Sequence, residues 1–295
     1  MDTGVFAARE PLQWVCGIPL VKYFAENWNQ TEAFQARPDD LLICTYPKSG
    51  TTWLCEVTDM LYNYGSDEAC SQNVITNRVP FLEFASVGLP TGVDQLEFMP
   101  SPRVVKTHLP VELLPKTFWE KGCKMMYLAR NAKDVAVSYY YFNQMARVHP
   151  NPGTWAEFLK KFMSGAVCYG SWYDHVKDWN AKAEHHNILC LFYEDMKEDP
   201  MREIQKVQQF LGKDLEEEAL EKIAQHTSFQ AMKQNPMTNY RTVSARRMDH
   251  NISPFMRKGI TGDWKNHFTV SQNEKFDQDY ERKMAESSLN FRTVI

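Results

Sequence analysis

Four short runs of apolar and β-branched residues recur along the chain, and helical spacing of apolar positions fills most of the sequence between them. The runs cover 41–46, 103–107, 124–129 and 188–192. Runs of this length predict buried strands, and intervening helices are typical of parallel strands joined by crossovers. The pattern therefore predicts an α/β fold with a central, mainly parallel sheet flanked by helices.

Capping residues predict where the helices begin and end. Apolar residues from Trp53 to Tyr64 recur at helical spacing until Gly65 stops the run. The other signals are Asn131 before a helix over 133–147, a capping box of Thr154 and Glu157, Pro200 with Gly212, and a start at Ser271 with Glu274. The longest gaps, 65–79, 86–102 and 236–263, are predicted loops.

Composition indicates one large domain rather than several. The 295 residues are 43% hydrophobic, and no linker, repeat or low-complexity run divides them, so we expect a single domain over 1–295. The formal net charge of −4 gives no whole-protein basis for binding nucleic acid or an anionic membrane. Any anion site must be local.

The cysteines and the N-terminal segment predict a reducing, cytoplasmic location. Seven cysteines are scattered without metal-ligand spacing, and an odd number fits a disulfide framework poorly. Residues 1–20 contain charged residues and prolines but no continuous apolar core. This predicts neither a signal peptide nor a membrane-spanning helix.

The segment 41–53 predicts an anion-binding cradle. An apolar strand runs into Pro47, Lys48 and a small, hydroxyl-rich turn before a helix begins. Unpaired backbone N–H groups at a helix start bind phosphate-like anions, and Lys48 adds a positive charge. Taken alone, this lysine is equally typical of a solvated surface turn. The glycine spacing of a nucleoside-triphosphate loop is absent.

Each predicted strand ends in a chemically useful side chain. The ends carry Lys48, then Lys106 and His108, then Arg130, then Tyr193. Ligands bind beyond the carboxyl ends of strands in open parallel sheets, so we expect these side chains to converge. A histidine there can act as a base near neutral pH, although a lone histidine is more often structural.

Two further segments add donors for anions. Arg130 can form a forked contact with a phosphate while Ser138, two helical turns later, offers a hydroxyl. The block from Phe255 to Gly259 has two adjacent cations, and Gly262-Asp263-Trp264-Lys265 follows it. Adjacent cations with permissive glycines predict a second anion-binding loop.

Together these motifs resemble the cytosolic sulfotransferases, phenol (aryl) type. The stretch 46–53 resembles their 5′-phosphosulfate loop, 106–110 retains Lys-Thr-His-Leu-Pro, and 257–265 retains Arg-Lys-Gly-x-x-Gly-Asp-Trp-Lys. The matches run from about residue 11 to the C-terminus. Golgi sulfotransferases typically carry an N-terminal membrane helix, which this pattern lacks.

The resemblance implies transfer of a sulfuryl group from 3′-phosphoadenosine 5′-phosphosulfate (PAPS) to small phenolic acceptors, leaving 3′-phosphoadenosine 5′-phosphate (PAP) and requiring no metal. It implies that His108 is the general base and that Lys48, Lys106 and Ser138 are also catalytic. The implied donor-binding residues are Lys48, Ser49, Gly50, Thr51, Thr52, Trp53, Arg130, Ser138, Tyr193, Thr227, Phe229, Met232, Phe255, Met256, Arg257, Lys258 and Gly259. The implied acceptor-binding residues are Phe24, Phe81, Phe84, Lys106, His108, Phe142, Val148, Tyr240 and Met248.

Three details refine these expectations. Ala146 provides no acidic partner for an ammonium group, which disfavours catecholamines. Arg247 stands where close relatives commonly carry an aromatic residue, and it either points to solvent or attracts acceptors that bear a carboxylate. The segment Lys265–Glu274 fits the family's Lys-x-x-x-Thr-Val-x-x-x-Glu dimer motif, so a homodimer is implied.

Two other functions remain as alternatives at this point. A nucleotide kinase also needs a strand-loop-helix anion site, but the missing triphosphate-loop glycines disfavour it. A non-catalytic carrier of aromatic molecules could use the same apolar pocket. The presence of Lys48, Lys106, His108 and Ser138 argues against the carrier.

Overall fold

The computed structural model describes residues 9–295. Residues 1–8 of the predicted domain lie outside this range. The strands within it are β1 (Gln13–Val15), β2 (Ile18–Leu20), β3 (Leu41–Thr45), β4 (Val104–Thr107), β5 (Lys124–Ala129) and β6 (Ile188–Phe192). The bounds of β5 and β6 coincide with the predicted runs, and Tyr46 and Arg103 fall just outside β3 and β4.

The helices alternate with the strands of the larger sheet. They are α1 (Lys22–Glu26), α2 (Trp28–Glu32), α3 (Thr51–Tyr62), α4 (Asp67–Ser71), α5 (Ile75–Arg78), α6 (Gly92–Glu97), α7 (Lys116–Glu120), α8 (Ala132–Met145), α9 (Trp155–Ser164), α10 (Trp172–Ala183), α11 (Tyr193–Glu198), α12 (Pro200–Leu211), α13 (Glu217–His226), α14 (Phe229–Gln234) and α15 (Val270–Met284), with 3₁₀ turns at Val111–Leu113 and Asp263–Asn266.

Strands β3 to β6 form a parallel sheet in the order β4-β3-β5-β6, and β1 pairs with β2 in a separate antiparallel hairpin. Leu41 of β3 pairs with Val104 on one side and Lys124 on the other. All four carboxyl ends therefore meet at one edge of the sheet, as the sequence predicted, and this edge holds the candidate site.

Side chains alternate between two apolar layers because successive residues of a strand point to opposite faces. In β3, Leu42 and Cys44 join the layer packed by α8, α9, α10 and α15, whereas Leu41 and Ile43 join the layer packed by α3, α12 and α13. Helices thus cover both faces. The α/β fold with a central parallel sheet is confirmed.

Several predicted helix boundaries were wrong. The helix after Asn131 covers Ala132–Met145 rather than 133–147, and Asn131 does cap it. The last helix begins at Val270, because Thr269 rather than Ser271 accepts the capping hydrogen bond, and Gln272 completes the box. The predicted loops 65–79 and 86–102 contain the short helices α4, α5 and α6.

Other boundaries agree with the capping signals. Thr154 and Glu157 form the predicted capping box, and the helix opened by Pro200 ends at Gly212 in a left-handed conformation. Tyr193, predicted at a strand end, is the first residue of α11. Of the helices in residues 9–295, none combines the length and apolar character needed to span a bilayer.

Candidate active site

The loop between β3 and α3 has a backbone shaped for an anion. Lys48 and Gly50 have φ angles of +69° and +110°, and Gly50 immediately precedes the first turn of α3. A Cβ atom at Gly50 would lie 2.9 Å from Cδ2 of Tyr193, so any larger residue would collide with that ring. The loop consequently keeps the N–H groups of the helix start open to a ligand.

Several buried donors beside this loop have no hydrogen-bond partner within the described part of the chain. Three of them, Nε1 of Trp53, Nε of Arg130 and Nε of Arg257, belong to residues that line one cavity, and Oγ of Ser49 is a buried, unpartnered hydroxyl within the loop. Buried polar groups are normally satisfied, and donors left open around one space indicate a ligand with acceptor atoms. The charge and the donors fit the phosphate groups and polar edges of a nucleotide.

Arg130 connects the β3 loop to the C-terminal loop. Its guanidinium donates to the carbonyl oxygens of Lys48 at 3.1 Å and Ile260 at 3.0 Å, and it lies 4.2 Å from the ring centroid of Tyr193. Three segments that are distant in sequence are therefore held around one guanidinium. The Nε–H of Arg130 has no hydrogen-bond partner in residues 9–295.

Asp263 anchors the two adjacent cations of the C-terminal loop. Its carboxylate pairs with Arg257 and Lys258, each at 2.6 Å. Burial favours the neutral acid, but hydrogen bonds from Lys258, Asn266 and Arg257 outweigh it and hold the pKa of Asp263 well below its usual range. Sequence reasoning did not single out Asp263 as the group that orients these cations.

Gly259 and Asp134 fix the path of this loop. Gly259 has φ of +66°, and a Cβ there would lie 2.1 Å from Cδ2 of Phe229. Asp134 accepts hydrogen bonds from the backbone N–H groups of Gly262 at 2.8 Å and Trp264 at 3.0 Å. The loop is thus tied to the first turn of α8, an arrangement that sequence spacing did not indicate.

His108 is held as a neutral imidazole with one free nitrogen. Its Nδ1–H donates to the Thr45 carbonyl oxygen at 2.7 Å, which leaves Nε2 unprotonated and available as a base. Burial lowers the pKa of His108 to about 3; the hydrogen bond to the Thr45 carbonyl opposes this shift, and the nearby charge of Lys106 adds to it. The near-neutral pKa assumed from sequence does not hold in this environment.

Glu83 binds the backbone of His108 and was not identified from the sequence. Its carboxylate accepts hydrogen bonds from the His108 backbone N–H and the Thr107 hydroxyl, both at 2.8 Å. Burial raises the pKa of Glu83 to about 7. Its position inside the apolar stretch Pro80–Phe84 was the available signal, because a buried acid needs dedicated partners.

The two catalytic lysine candidates have different surroundings. The ammonium group of Lys48 lies 4.4 Å and 4.2 Å from the ring centroids of Phe142 and Phe255. Burial and the nearby guanidinium groups of Arg130 and Arg257 lower the pKa of Lys48 to about 7. Lys106 instead donates to the hydroxyl of Tyr240 at 3.2 Å. Among residues 9–295, no acidic side chain pairs with Lys48 to stabilise its charge.

A cavity of about 920 Å³ joins these groups. We call its two parts the nucleotide half, lined by Trp53, Arg130, Tyr193, Phe229 and Arg257, and the acceptor half, lined by Phe24, Phe84, Val148, Tyr240 and Met248. His108, Lys48, Lys106 and Ser138 also line the cavity, and so do the remaining predicted site residues except Ser49, which lies buried beneath the loop. The lining also includes His149, Tyr169 and Lys197, which the sequence did not predict.

Comparison with known proteins decides the family. The family model described as "Sulfotransferase domain" matches residues 38–288. The chain belongs to the sulfotransferase family. It is 59% identical over 295 residues to Sulfotransferase 1 family member D1 of Mus musculus, covering 100% of both chains, and 59% identical over 285 residues to Sulfotransferase 1A1 of Bos taurus, covering 97% of both.

A solved sulfotransferase structure agrees with this assignment. The crystal structure of mouse sulfotransferase SULT7A1 complexed with PAP has a TM-score of 0.78 and 35% identity, covering 94% of this chain and 96% of that one. This sulfotransferase is accordingly a PAPS-dependent enzyme, and the unpartnered hydrogen-bond donors around its nucleotide half fit PAPS. The kinase and carrier alternatives are set aside.

Proposed function

We propose that this sulfotransferase acts in the cytoplasm on the hydroxyl groups of small phenolic acceptors, with His108 as general base. The observation that carries the proposal is the free Nε2 of His108 in a cavity that continues from the cationic nucleotide half into an aromatic acceptor half. Aromatic walls stabilise a flat ring by burial and edge contacts.

Each polar group near His108 has a defined part in the proposed reaction. His108 Nε2 removes the acceptor hydroxyl proton as that oxygen attacks, and Lys106 stabilises negative charge on the transferring group. Lys48 neutralises the leaving phosphate, while Ser138 pairs with Lys48 until the acceptor arrives. Bound PAPS supplies the sulfuryl group, which these side chains align for in-line transfer.

Donor binding is assigned to both loops of the nucleotide half. The β3 loop, from Lys48 to Trp53, holds the 5′-phosphosulfate, and Arg130, Ser138 and Arg257 hold the 3′-phosphate. Trp53, Tyr193 and Phe229 enclose the adenine, supported by Thr227 and Met232. The buried, unpartnered Nε atoms of Arg130 and Arg257 support the phosphate assignment.

The acceptor half favours a neutral ring over an ammonium compound. Within residues 9–295, neither aspartate nor glutamate lines the cavity, and Ala146 contributes a methyl group. An ammonium group there would lose hydration without gaining a counter-charge. We therefore expect phenols without a cationic group to be better acceptors than dopamine.

A direct assay tests this proposal. Purified protein is incubated with PAPS and either para-cresol or dopamine, and sulfated product is measured by mass spectrometry across acceptor concentrations. Para-cresol should show the higher kcat/KM. A preference for dopamine would contradict the acceptor assignment, and failure to sulfate any phenol would contradict the proposed function. Replacing PAPS with ATP should give no phosphorylated product.

A further inference from the structure

The charged side chains that line the cavity have one sign. In the part of the chain that the structure describes, seven lysines and arginines line the cavity and no carboxylate does. Six of the seven surround the nucleotide half or His108: Lys48, Lys106, Arg130, Lys197, Arg257 and Lys258. Arg247 is the seventh, and it lies with Val243 and Met248 on the acceptor half.

The backbone at Arg247 is fixed against the end of α8. The N–H of Arg147 donates to the Arg247 carbonyl oxygen at 2.9 Å, and the N–H of Asp249 donates to the Met145 carbonyl oxygen, also at 2.9 Å. These two bonds hold the segment around 247 in a short antiparallel pairing. Arg247 therefore projects from an anchored position rather than from the middle of a free loop.

The side chain of Arg247 lies at the rim of the acceptor half. Its Nη2 donates to the carbonyl oxygen of Val87 at 3.3 Å. Val87 and Leu89 are 56% and 41% exposed, so this contact marks the boundary between cavity and solvent. We therefore infer that Arg247 faces the outer end of a ligand whose phenol ring lies at His108.

Several N–H groups of the Arg247 guanidinium remain available to a ligand at this rim. Its neighbour Arg147 pairs with Asp249 at 3.1 Å, whereas no carboxylate of residues 9–295 lies within 4.0 Å of the Arg247 guanidinium. A guanidinium carries five N–H donors, and the Val87 contact uses one of them. The remaining N–H groups can donate a forked pair of hydrogen bonds to a planar anion.

We propose that Arg247 binds a carboxylate at the end of the acceptor opposite to its hydroxyl, so that phenolic acids are preferred acceptors of this enzyme. The inference rests on the proposed phenol sulfation and adds a second recognition point to it. Bound PAPS would neutralise the cations of the nucleotide half, whereas Arg247 lies on the acceptor half, and no carboxylate of residues 9–295 lines the cavity to compete for it.

Matched pairs of acceptors test the proposal. Each acid of the series 4-hydroxyphenylacetate, 3-(4-hydroxyphenyl)propionate and 4-(4-hydroxyphenyl)butyrate is compared with its primary amide, which has nearly the same shape without the charge. The acid-to-amide ratio of kcat/KM should be highest for one chain length in the wild type. Arg247→Gln should lower that ratio about fivefold or more, since a charged contact at a partly exposed rim is of moderate strength.

Two further variants separate recognition from a structural role. Arg247→Lys keeps the charge and should retain part of the preference, and rising salt should reduce the ratio in both proteins. Arg241→Gln removes the same charge from an exposed position in the same segment and should leave the ratio unchanged.

Two results would overturn the inference. One is an acid-to-amide ratio of kcat/KM that is the same in Arg247→Gln as in the wild type. The other is an equal loss of kcat/KM for the acid and the amide. That result would mean that Arg247 only holds the Val87 segment in place. In either case the amides would still be sulfated, so the proposed function would stand. Absence of sulfated product from every acid and amide would instead contradict the proposed function itself.

Discussion

At the scale of single residues, His108 offers the sharpest test of the proposed chemistry. Its Nδ1–H is fixed by the Thr45 carbonyl, and its low pKa keeps Nε2 unprotonated over the physiological range. His108→Ala removes this base and should lower turnover by about 10²- to 10⁴-fold. PAP affinity, measured by calorimetry, should stay within a few-fold of wild type because the nucleotide half is untouched.

The control for that variant is His185→Ala, which removes an exposed imidazole from the turn that follows α10. It should leave both turnover and PAP affinity unchanged. Near-normal turnover in His108→Ala would reject the base assignment. Retained PAP binding shows that a slow variant is still folded.

Lys48 should take up a proton when the nucleotide binds. Burial and two neighbouring guanidinium groups lower its pKa to about 7, so at pH 8 the free protein holds this side chain mainly neutral. Phosphate groups favour the ammonium form and raise the pKa again. Binding of PAP at pH 8 should therefore consume a proton, and this uptake should diminish as the pH falls below 7.

Calorimetry in two buffers with different ionisation enthalpies measures this uptake. At pH 8 the phosphate groups of PAP are already deprotonated, so they do not add to the signal. The proton uptake should disappear in Lys48→Met. It should persist in Lys197→Met, which removes another lysine of the cavity, one whose pKa is also lowered by burial. An equal uptake in wild type and Lys48→Met would assign the proton to another group.

At the scale of elements, the loop after α14 should select the 3′-phosphate of the donor. Arg257→Ala or Arg130→Ala removes a charge-assisted contact worth roughly 1.5–3 kcal/mol, which should weaken PAPS binding about 10- to 100-fold. Adenosine 5′-phosphosulfate lacks that phosphate, so its affinity should change much less in Arg257→Ala. In Arg130→Ala it should fall as well, because Arg130 also holds the β3 loop through the Lys48 carbonyl.

Arg282→Ala serves as the matched control, because this arginine is 73% exposed on α15. It should alter the affinity for neither nucleotide. If adenosine 5′-phosphosulfate loses as much affinity as PAPS in Arg257→Ala, the Arg257 guanidinium contacts another part of the nucleotide.

The elements predicted well from sequence are those with complete local signals. The apolar runs of β5 and β6 and the glycine after α12 define their bounds through residues adjacent in the chain. Helices α4, α5 and α6 are four to six residues long, too short for helical periodicity to show. The start of α15 was wrong because Thr269 and Ser271 are both good caps, and only the folded chain selects between them.

The sequence motifs named candidate residues that line the cavity, but not the residues that hold them in place. Lys48, His108 and Arg257 stand in local motifs that a reader of the sequence can recognise. Glu83 and Asp134 act across the fold: Asp134 bonds to Gly262, 128 positions away. The order of strands in the sheet also depends on long-range contacts, because β3 pairs with both β4 and β5, which are distant from it in sequence.

At the scale of the whole molecule, we propose a homodimer formed through Lys265–Glu274. In this segment Lys265, Thr269, Ser271 and Glu274 are exposed, and the apolar side chain of Val270 is 77% exposed at the start of α15. An interface between two identical patches would place Val270 against its symmetry mate. Burial of that pair would tolerate an apolar side chain and exclude a charge.

Val270→Glu should therefore yield monomers, since two buried carboxylates would face each other across the two-fold axis. The cavity lies within one chain, so we expect these monomers to retain sulfotransferase activity. Sedimentation velocity of wild type and variant at equal concentrations measures the change. Phe98→Glu adds the same charge at an apolar residue that is 89% exposed elsewhere, and it should leave the dimer intact. Identical sedimentation of wild type and Val270→Glu would reject this segment as the interface.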